Sequence, residues 1–134
     1  MRVVLDTNIF VSAILGGKLS IILDEWRAGQ FTLLVSEPIV REYLDVISRP
    51  KFKIVASEIA TITEYLLKTA EFVTPMETIA VIEADPSDNK FLEAALTGNA
   101  IYIVSGDHHL LQLHSFRDIK ILAAHDFITL LKPL

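Results

Sequence analysis

The chain has 134 residues, with Lys+Arg 12 against Asp+Glu 17 and a formal net charge of -5. It therefore lacks the broadly basic surface of a protein that meets nucleic acid by charge alone, and it is long enough for one hydrophobic core but short for two. Zero cysteines exclude disulfides and thiolate-bound metals.

Arg2–Leu5 reads as a buried strand, and Ile9–Leu15 and Leu19–Ala28 as helical pieces broken at Gly16-Gly17. Phe31–Val35 reads as a second strand after a helix-ending Gly29. Ser36-Glu37-Pro38 opens a helix with a hydroxyl cap, an acid in the first turn and a proline where a missing N–H does no harm; it runs to about Ile47, before Ser48-Arg49-Pro50. Ser57 to Phe72 is the longest helical pattern, capped by Ser57, with Ile59, Ile62, Leu66 and Ala70 on one stripe.

An extended stretch follows at Ile79–Ile82, and Asp85-Pro86-Ser87-Asp88 begins a helix that reaches about Thr97 and closes at Gly98-Asn99. Ile101–Val104 is a strand, His108–Leu113 a short helix, Ile119–Leu122 a strand and Asp126–Leu131 a last helix. Strands that alternate with helices and are apolar on both faces predict an α/β fold, a central parallel sheet covered by helices on two sides. No repeat or linker interrupts the alternation, so residues 1–134 are expected to form one domain. No apolar run approaches the roughly 18 to 20 residues of a membrane span, and Met1-Arg2 leads directly into a strand, without a signal peptide's layout. The expectation is a cytoplasmic protein with no membrane contact, and its mean hydropathy of +0.45 predicts apolar surface left for a partner or a second copy.

The chemistry resides in the carboxylates. Asp6 follows Val3-Val4-Leu5, and Asp107 follows Tyr102-Ile103-Val104-Ser105-Gly106, so both stand at strand ends, where an open parallel sheet binds its ligands. Each acid also has an ordinary structural role open to it. Asp6 can cap the helix near Ile9, although Asn8 could do so instead and leave Asp6 to a hard cation, with Thr7 or Asn8 orienting it. Glu42 sits at the margin of the stripe Ile39, Val40, Tyr43, Leu44 and Ile47, either as a solvated acid or looking over the core's rim into a cleft. Asp85 and Asp88 are spaced like a capping box; Asp85 suits the structural role and Asp88, one turn before the stripe Phe91, Leu92 and Ala95, is the better ligand.

Asp107 can cap the turn at His108, and Gly106 lets the backbone bend there. His108, His109, His114 and His125 lack the spacing of a zinc site. Arg49, Lys51 and Lys53, ordinarily a solvated turn, form the best local patch for phosphate contacts. Four carboxylates gathered in one pocket repel one another unless a cation sits among them, which points to one or two Mg²⁺ or Mn²⁺ ions.

Taken together, Val3-Val4-Leu5-Asp6-Thr7-Asn8, Glu42 before Arg49-Pro50-Lys51-Phe52, Asp85-Pro86-Ser87-Asp88-Asn89-Lys90-Phe91-Leu92-Glu93-Ala94-Ala95 and Ile103-Val104-Ser105-Gly106-Asp107-His108-His109-Leu110-Leu111 resemble a PIN domain over nearly the whole chain. The branch it is most similar to is the VapC-type ribonuclease toxins of toxin–antitoxin pairs. The resemblance implies a three-layer fold with a central parallel sheet, in which Asp6, Glu42, Asp88 and Asp107 match the family's acidic quartet and hold the metal. Ser105 falls where the family usually has threonine and keeps the hydroxyl, and His109 replaces a polar, often acidic, residue.

The implied activity is metal-dependent hydrolysis of RNA phosphodiesters, in single-stranded or looped RNA. The implied partners are a cognate antitoxin protein and a second copy in a homodimer. Two other classes compete. A PIN-like module that binds RNA or protein without cutting would keep its affinity after the acids became amides. A phosphatase using Asp6 as covalent nucleophile would need a second Asp where Asn8 stands.

Overall fold

The computed structural model describes residues 1–82 and 86–132. Six strands form one sheet: β1 (Arg2–Leu5), β2 (Thr32–Val35), β3 (Glu71–Phe72), β4 (Tyr102–Val104), β5 (Ser115–Phe116) and β6 (Ile119–Leu122), in the order β3-β2-β1-β4-β6-β5. All neighbours pair in parallel except β5 and β6. Helices α1 (Thr7–Leu15), α2 (Ser20–Arg27), α3 (Glu37–Ile47), α4 (Ala56–Thr69), α5 (Asn89–Thr97), α6 (His108–Leu111) and α7 (Ala124–Leu131) flank it. This is the α/β architecture with a central parallel sheet that the alternation predicts. Among the described residues no single helix is long and apolar enough to cross a membrane.

The sheet's middle is built from runs that are apolar on both faces. Val3, Val4, Leu33, Leu34, Val35, Ile103 and Val104 are completely buried, which requires helices above and below. Order in the sheet then locates the crevice. β1 lies between β2 and β4, so the chain winds outward in one direction from β1 and in the other from β4, and the loops leaving these two strands part at their carboxyl ends. Leu5 is in register with Val104, and the Asp6 N–H continues the ladder to the Val104 carbonyl at 3.0 Å. Asp6 and the Ser105–Asp107 turn therefore leave the sheet side by side.

Several boundaries differ from the sequence expectation, each for a local reason. Ser36 stands at the N-cap of α3, but its hydroxyl makes no capping bond, and the residue is buried at 1% exposure. The fourth helix begins at Ala56 with Val55 at its cap, which places Ser57 inside the first turn, and it ends at Thr69. Glu71–Phe72, expected as helix, pairs with Leu34 and Val35 instead. This edge strand is two residues long and exposed, so it has no hydrophobic period to read; Arg2 pins it through a two-pronged ion pair to Glu71.

β5 is another strand the periodicity does not announce, and it turns into β6 through Arg117, which holds a left-handed φ of 54°. Ile79–Ile82 runs outside any strand, tied to α5 through Glu93 and Asn89. At Gly98 a Cβ would lie 2.8 Å from Leu34 Cδ1, so glycine there permits close helix–strand packing, while Asn99 takes the left-handed turn at φ 53°. The expected capping role of Asp85 lies outside the described residues.

Candidate active site

Asp6, Thr7, Asn8, Glu42, Val46, Arg49, Ser87, Asp88, Phe91 and Asp107 line one open pocket of about 240 Å³. All four acids singled out in the sequence meet there, although they come from the ends of β1 and β4, from α3 and from the turn before α5. A groove more than twice as large, about 530 Å³, runs between α1, α2 and α4, but Ile14, Leu15, Leu23, Phe52, Ile54 and Ile62 dominate its lining. Chemistry rather than volume selects the acid pocket.

Asp6 is 4% exposed and both of its oxygens are held. Oδ1 accepts the Ile9 N–H at 2.9 Å, and Oδ2 accepts the Ser105 hydroxyl and the Gly106 N–H, the latter at 3.2 Å. The capping role and the pocket-lining role thus coexist in one side chain. Burial pushes the Asp6 carboxyl above its ordinary pKa, aided by the nearby Asp107 charge, while these three donors pull the other way.

Ser105 is completely buried and works in two directions, donating to Asp6 and accepting the Asp107 N–H at 2.9 Å. Asp107 caps α6 by accepting the His109 N–H at 2.7 Å. Desolvation works to raise its pKa, but that amide, a hydrogen bond with Asp88 and the His109 and His108 charges together hold it below the usual carboxylate range. Asp88 and Asp107 line the same pocket, and two carboxyl groups so placed repel when both are ionised.

Glu42 reaches the pocket because α3 is locked in rotation. Its neighbour Tyr43 is completely buried, stacks on Phe10 with ring centroids 4.0 Å apart and donates its hydroxyl proton to the Leu5 carbonyl. Burial, with the Asp6 and Glu42 charges behind it, raises the Tyr43 pKa well above the ordinary phenol, so it remains a donor. One Glu42 oxygen accepts the Thr7 hydroxyl and the other accepts Lys90 Nζ at 2.8 Å. Asp88 ends the 3-10 turn Pro86–Asp88 and makes no side-chain capping bond to α5. Asn89 fixes that turn: its amide brackets Ile82 N–H and C=O at 2.9 and 3.0 Å and donates to the Pro86 carbonyl at 3.1 Å.

The proposed basic patch is divided. Arg49 lines the acid pocket, Lys53 lines the apolar groove, and Lys51 lies over the Phe52 ring at 5.0 Å. Sequence reasoning gave no role to Lys90 or Asn89 and placed Tyr43 only in the buried stripe, because the bonds of Lys90 to Glu42 and of Tyr43 to Leu5 join residues remote in the chain. His108 and His109, adjacent in sequence, bring one ring nitrogen each within 4.8 Å of an Asp107 oxygen. Neither histidine lines the pocket, where four carboxylates stand with Thr7, Asn8 and Ser87, a set of oxygen donors suited to Mg²⁺ or Mn²⁺ rather than to a softer ion.

A family model described as a PIN domain matches residues 2–109, and every one of these pocket residues falls within it. The chain belongs to the PIN domain family. Among solved structures, this PIN domain is similar to a chain in the VapBC2 complex from Rickettsia felis bound to a DNA fragment from their promoter. The match covers 92% of this chain and 98% of that one, with a TM-score of 0.59 and 16% sequence identity, and at that identity it shows the fold. Among curated proteins none matches.

Proposed function

We propose that this PIN domain is a divalent-metal-dependent ribonuclease, the toxin of a toxin–antitoxin pair, acting through Asp6, Glu42, Asp88 and Asp107 as one nuclease domain over residues 1–134. The observation that carries the reading is the convergence of four carboxylates from distant segments on one pocket with a single arginine in its wall. These acids would hold Mg²⁺ or Mn²⁺, which would supply positive charge against the scissile phosphate and lower the pKa of water toward neutrality.

The chain's own residues do the rest. Asp6, Asp88 and Asp107 present the oxygen donors, and Ser105 with the Gly106 amide keeps Asp6 from rotating away. Thr7 and Lys90 fix Glu42 on another wall, where it orients the attacking water or adds a ligand. Arg49 meets the phosphate backbone from the rim. A net charge of -5 opposes RNA at long range, so the cation is indispensable to this reading.

The partner is an antitoxin protein, proposed from the likeness to a VapBC2 chain, and its means of inhibition is a basic side chain offered to the acids. Exposed Val55, Leu67 and Met76 support a homodimer or a covered surface, and the expected compartment is the cytoplasm. Incubation of purified protein with labelled RNA, with Mn²⁺ and with EDTA, beside Asp107→Asn, tests the activity. Cleavage that needs Mn²⁺ and disappears in the variant is expected; cleavage in EDTA, or a variant as active as its parent, would overturn the proposal.

A further inference from the structure

Glu42 differs from Asp6 and Asp107 in what already holds it. Asp6 is bound by neutral N–H and O–H donors, and Asp107 by a backbone amide and its neighbours. Glu42 takes a permanent positive charge on one oxygen, Lys90 Nζ at 2.8 Å, and the Thr7 hydroxyl on the other, whereas the cation beside Asp107 is an imidazole, His109 at 3.3 Å, charged only when protonated. Lys90 is not a loosely solvated lysine. Its side chain is 14% exposed, Nζ also donates to the Ser87 carbonyl at 2.6 Å, and the ammonium lies 4.8 Å over the Phe91 ring.

It approaches from a neighbouring groove: Lys90 lines that groove with Pro38, Thr78 and Ile79, Phe91 lines the acid pocket, and Ser87 borders both. A carboxylate paired with an ammonium has its charge already compensated, and the ammonium itself repels a second cation, whereas the neutral donors on Asp6 leave its charge uncompensated.

Resting on the nuclease reading, we propose that Lys90 is a positioning residue that withholds Glu42 from the metal, leaving Asp6, Asp88 and Asp107 as the ligand set and Glu42 as the group that orients water or RNA. The pocket is then divided in function, with three acids on the strand-end and α5 side and a charge-compensated fourth on α3. Lys90 can do this because it stands two residues after Asp88 in the same turn-and-helix segment, so the element that brings a ligand also brings the cation that sets Glu42 apart.

The test is Mn²⁺ binding by titration calorimetry on the full chain, with RNA cleavage and thermal melting measured in parallel, for the parent, Asp107→Asn, Glu42→Gln, Lys90→Met and Lys90→Arg. Asp107→Asn is expected to weaken Mn²⁺ by about tenfold or more, and Glu42→Gln by less than about threefold while cleavage falls by about 10- to 100-fold. Lys90→Met is expected to tighten Mn²⁺ by about threefold or more, because it frees Glu42 and removes a nearby positive charge, and yet to lower cleavage by about tenfold.

Lys90→Arg restores the parental Mn²⁺ affinity, which a role confined to holding α3 against α5 would not require. Glu42→Gln weakening Mn²⁺ as much as Asp107→Asn overturns the assignment, and does so even if Lys90→Met fails to fold. A folded Lys90→Met with parental Mn²⁺ affinity and parental cleavage overturns it too. A parent that binds no Mn²⁺ overturns the nuclease reading itself, an outcome distinct from either of these.

Discussion

Val4 and Asp6 stand two residues apart on the same strand line and are almost equally buried, at 0% and 4% exposure, yet burial does opposite things to them. For Val4 and its neighbours in the middle of the sheet, removal from water is the source of stability, at about 25 cal/mol for each Å² of apolar surface. For Asp6 it disfavours the charged form, raising its pKa, and three donors only partly offset that cost. The lower sheet holds the fold together, and its upper edge spends part of that stability to hold acids close together. The same division separates the pocket from the apolar groove beside α4, which is larger and has no comparable set of charges.

The largest effect that sharpens this contrast belongs to the core. Leu33→Ala, at a completely buried position on β2, is expected to cost about 2–5 kcal/mol in chemical denaturation while leaving cleavage per folded molecule near the parental rate. A loss under about 1 kcal/mol would break the comparison. Asp6→Asn should do the reverse, reducing RNA cleavage by about 100-fold or more, some 2.7 kcal/mol of barrier, while the melting temperature in EDTA moves by only a few degrees. Amide Oδ1 still accepts from Ile9, and the cost of a buried charge disappears.

Ser105→Ala is intermediate: Asp6 loses a donor and the Asp107 N–H an acceptor, so cleavage should fall by about 10- to 100-fold and stability by about 1 kcal/mol. The smallest effect is in the pH dependence. A raised Asp6 pKa means that the folded state holds this proton more tightly than the unfolded chain. Its contribution to stability is therefore present at low pH and lost as pH rises through the folded value. The rise in melting temperature on adding Mn²⁺ should accordingly shrink on acidification, beginning at a higher pH than an ordinary aspartate would give; melting curves with and without Mn²⁺ across pH 4 to 8 measure it. A constant increment across that range would remove Asp6 from the ligand set.

Much of this was legible before any coordinates. β1, β6 and the broken helix at Gly16-Gly17 follow from apolar runs and glycine punctuation; Asp6, Asp88 and Asp107 stood out because each follows a strand or opens a helix, and Glu42 because it sits at the margin of an apolar helical stripe. The two short strands β3 and β5 escaped because pairing at a sheet edge needs no buried side chains. Ser36 and Ser57 misled for a related reason, since a hydroxyl near a helix start signals a cap only if it can turn toward the free N–H groups. The basic patch looked continuous in sequence, but the turn Pro50–Phe52 sends Arg49 and Lys53 to different concavities.

The sequence by itself determined the α/β alternation and which acids stood where chemistry is done, because periodicity and strand-end position are local properties. Only the tertiary structure decided that α3 is rotated by Tyr43 so that Glu42 enters the pocket, that Asp88 contacts Asp107, and that Lys90 lies 2.8 Å from Glu42. Those contacts join residues 19 to 48 positions apart. Whether they form depends on how whole helices pack on the sheet, which no window of neighbouring residues encodes.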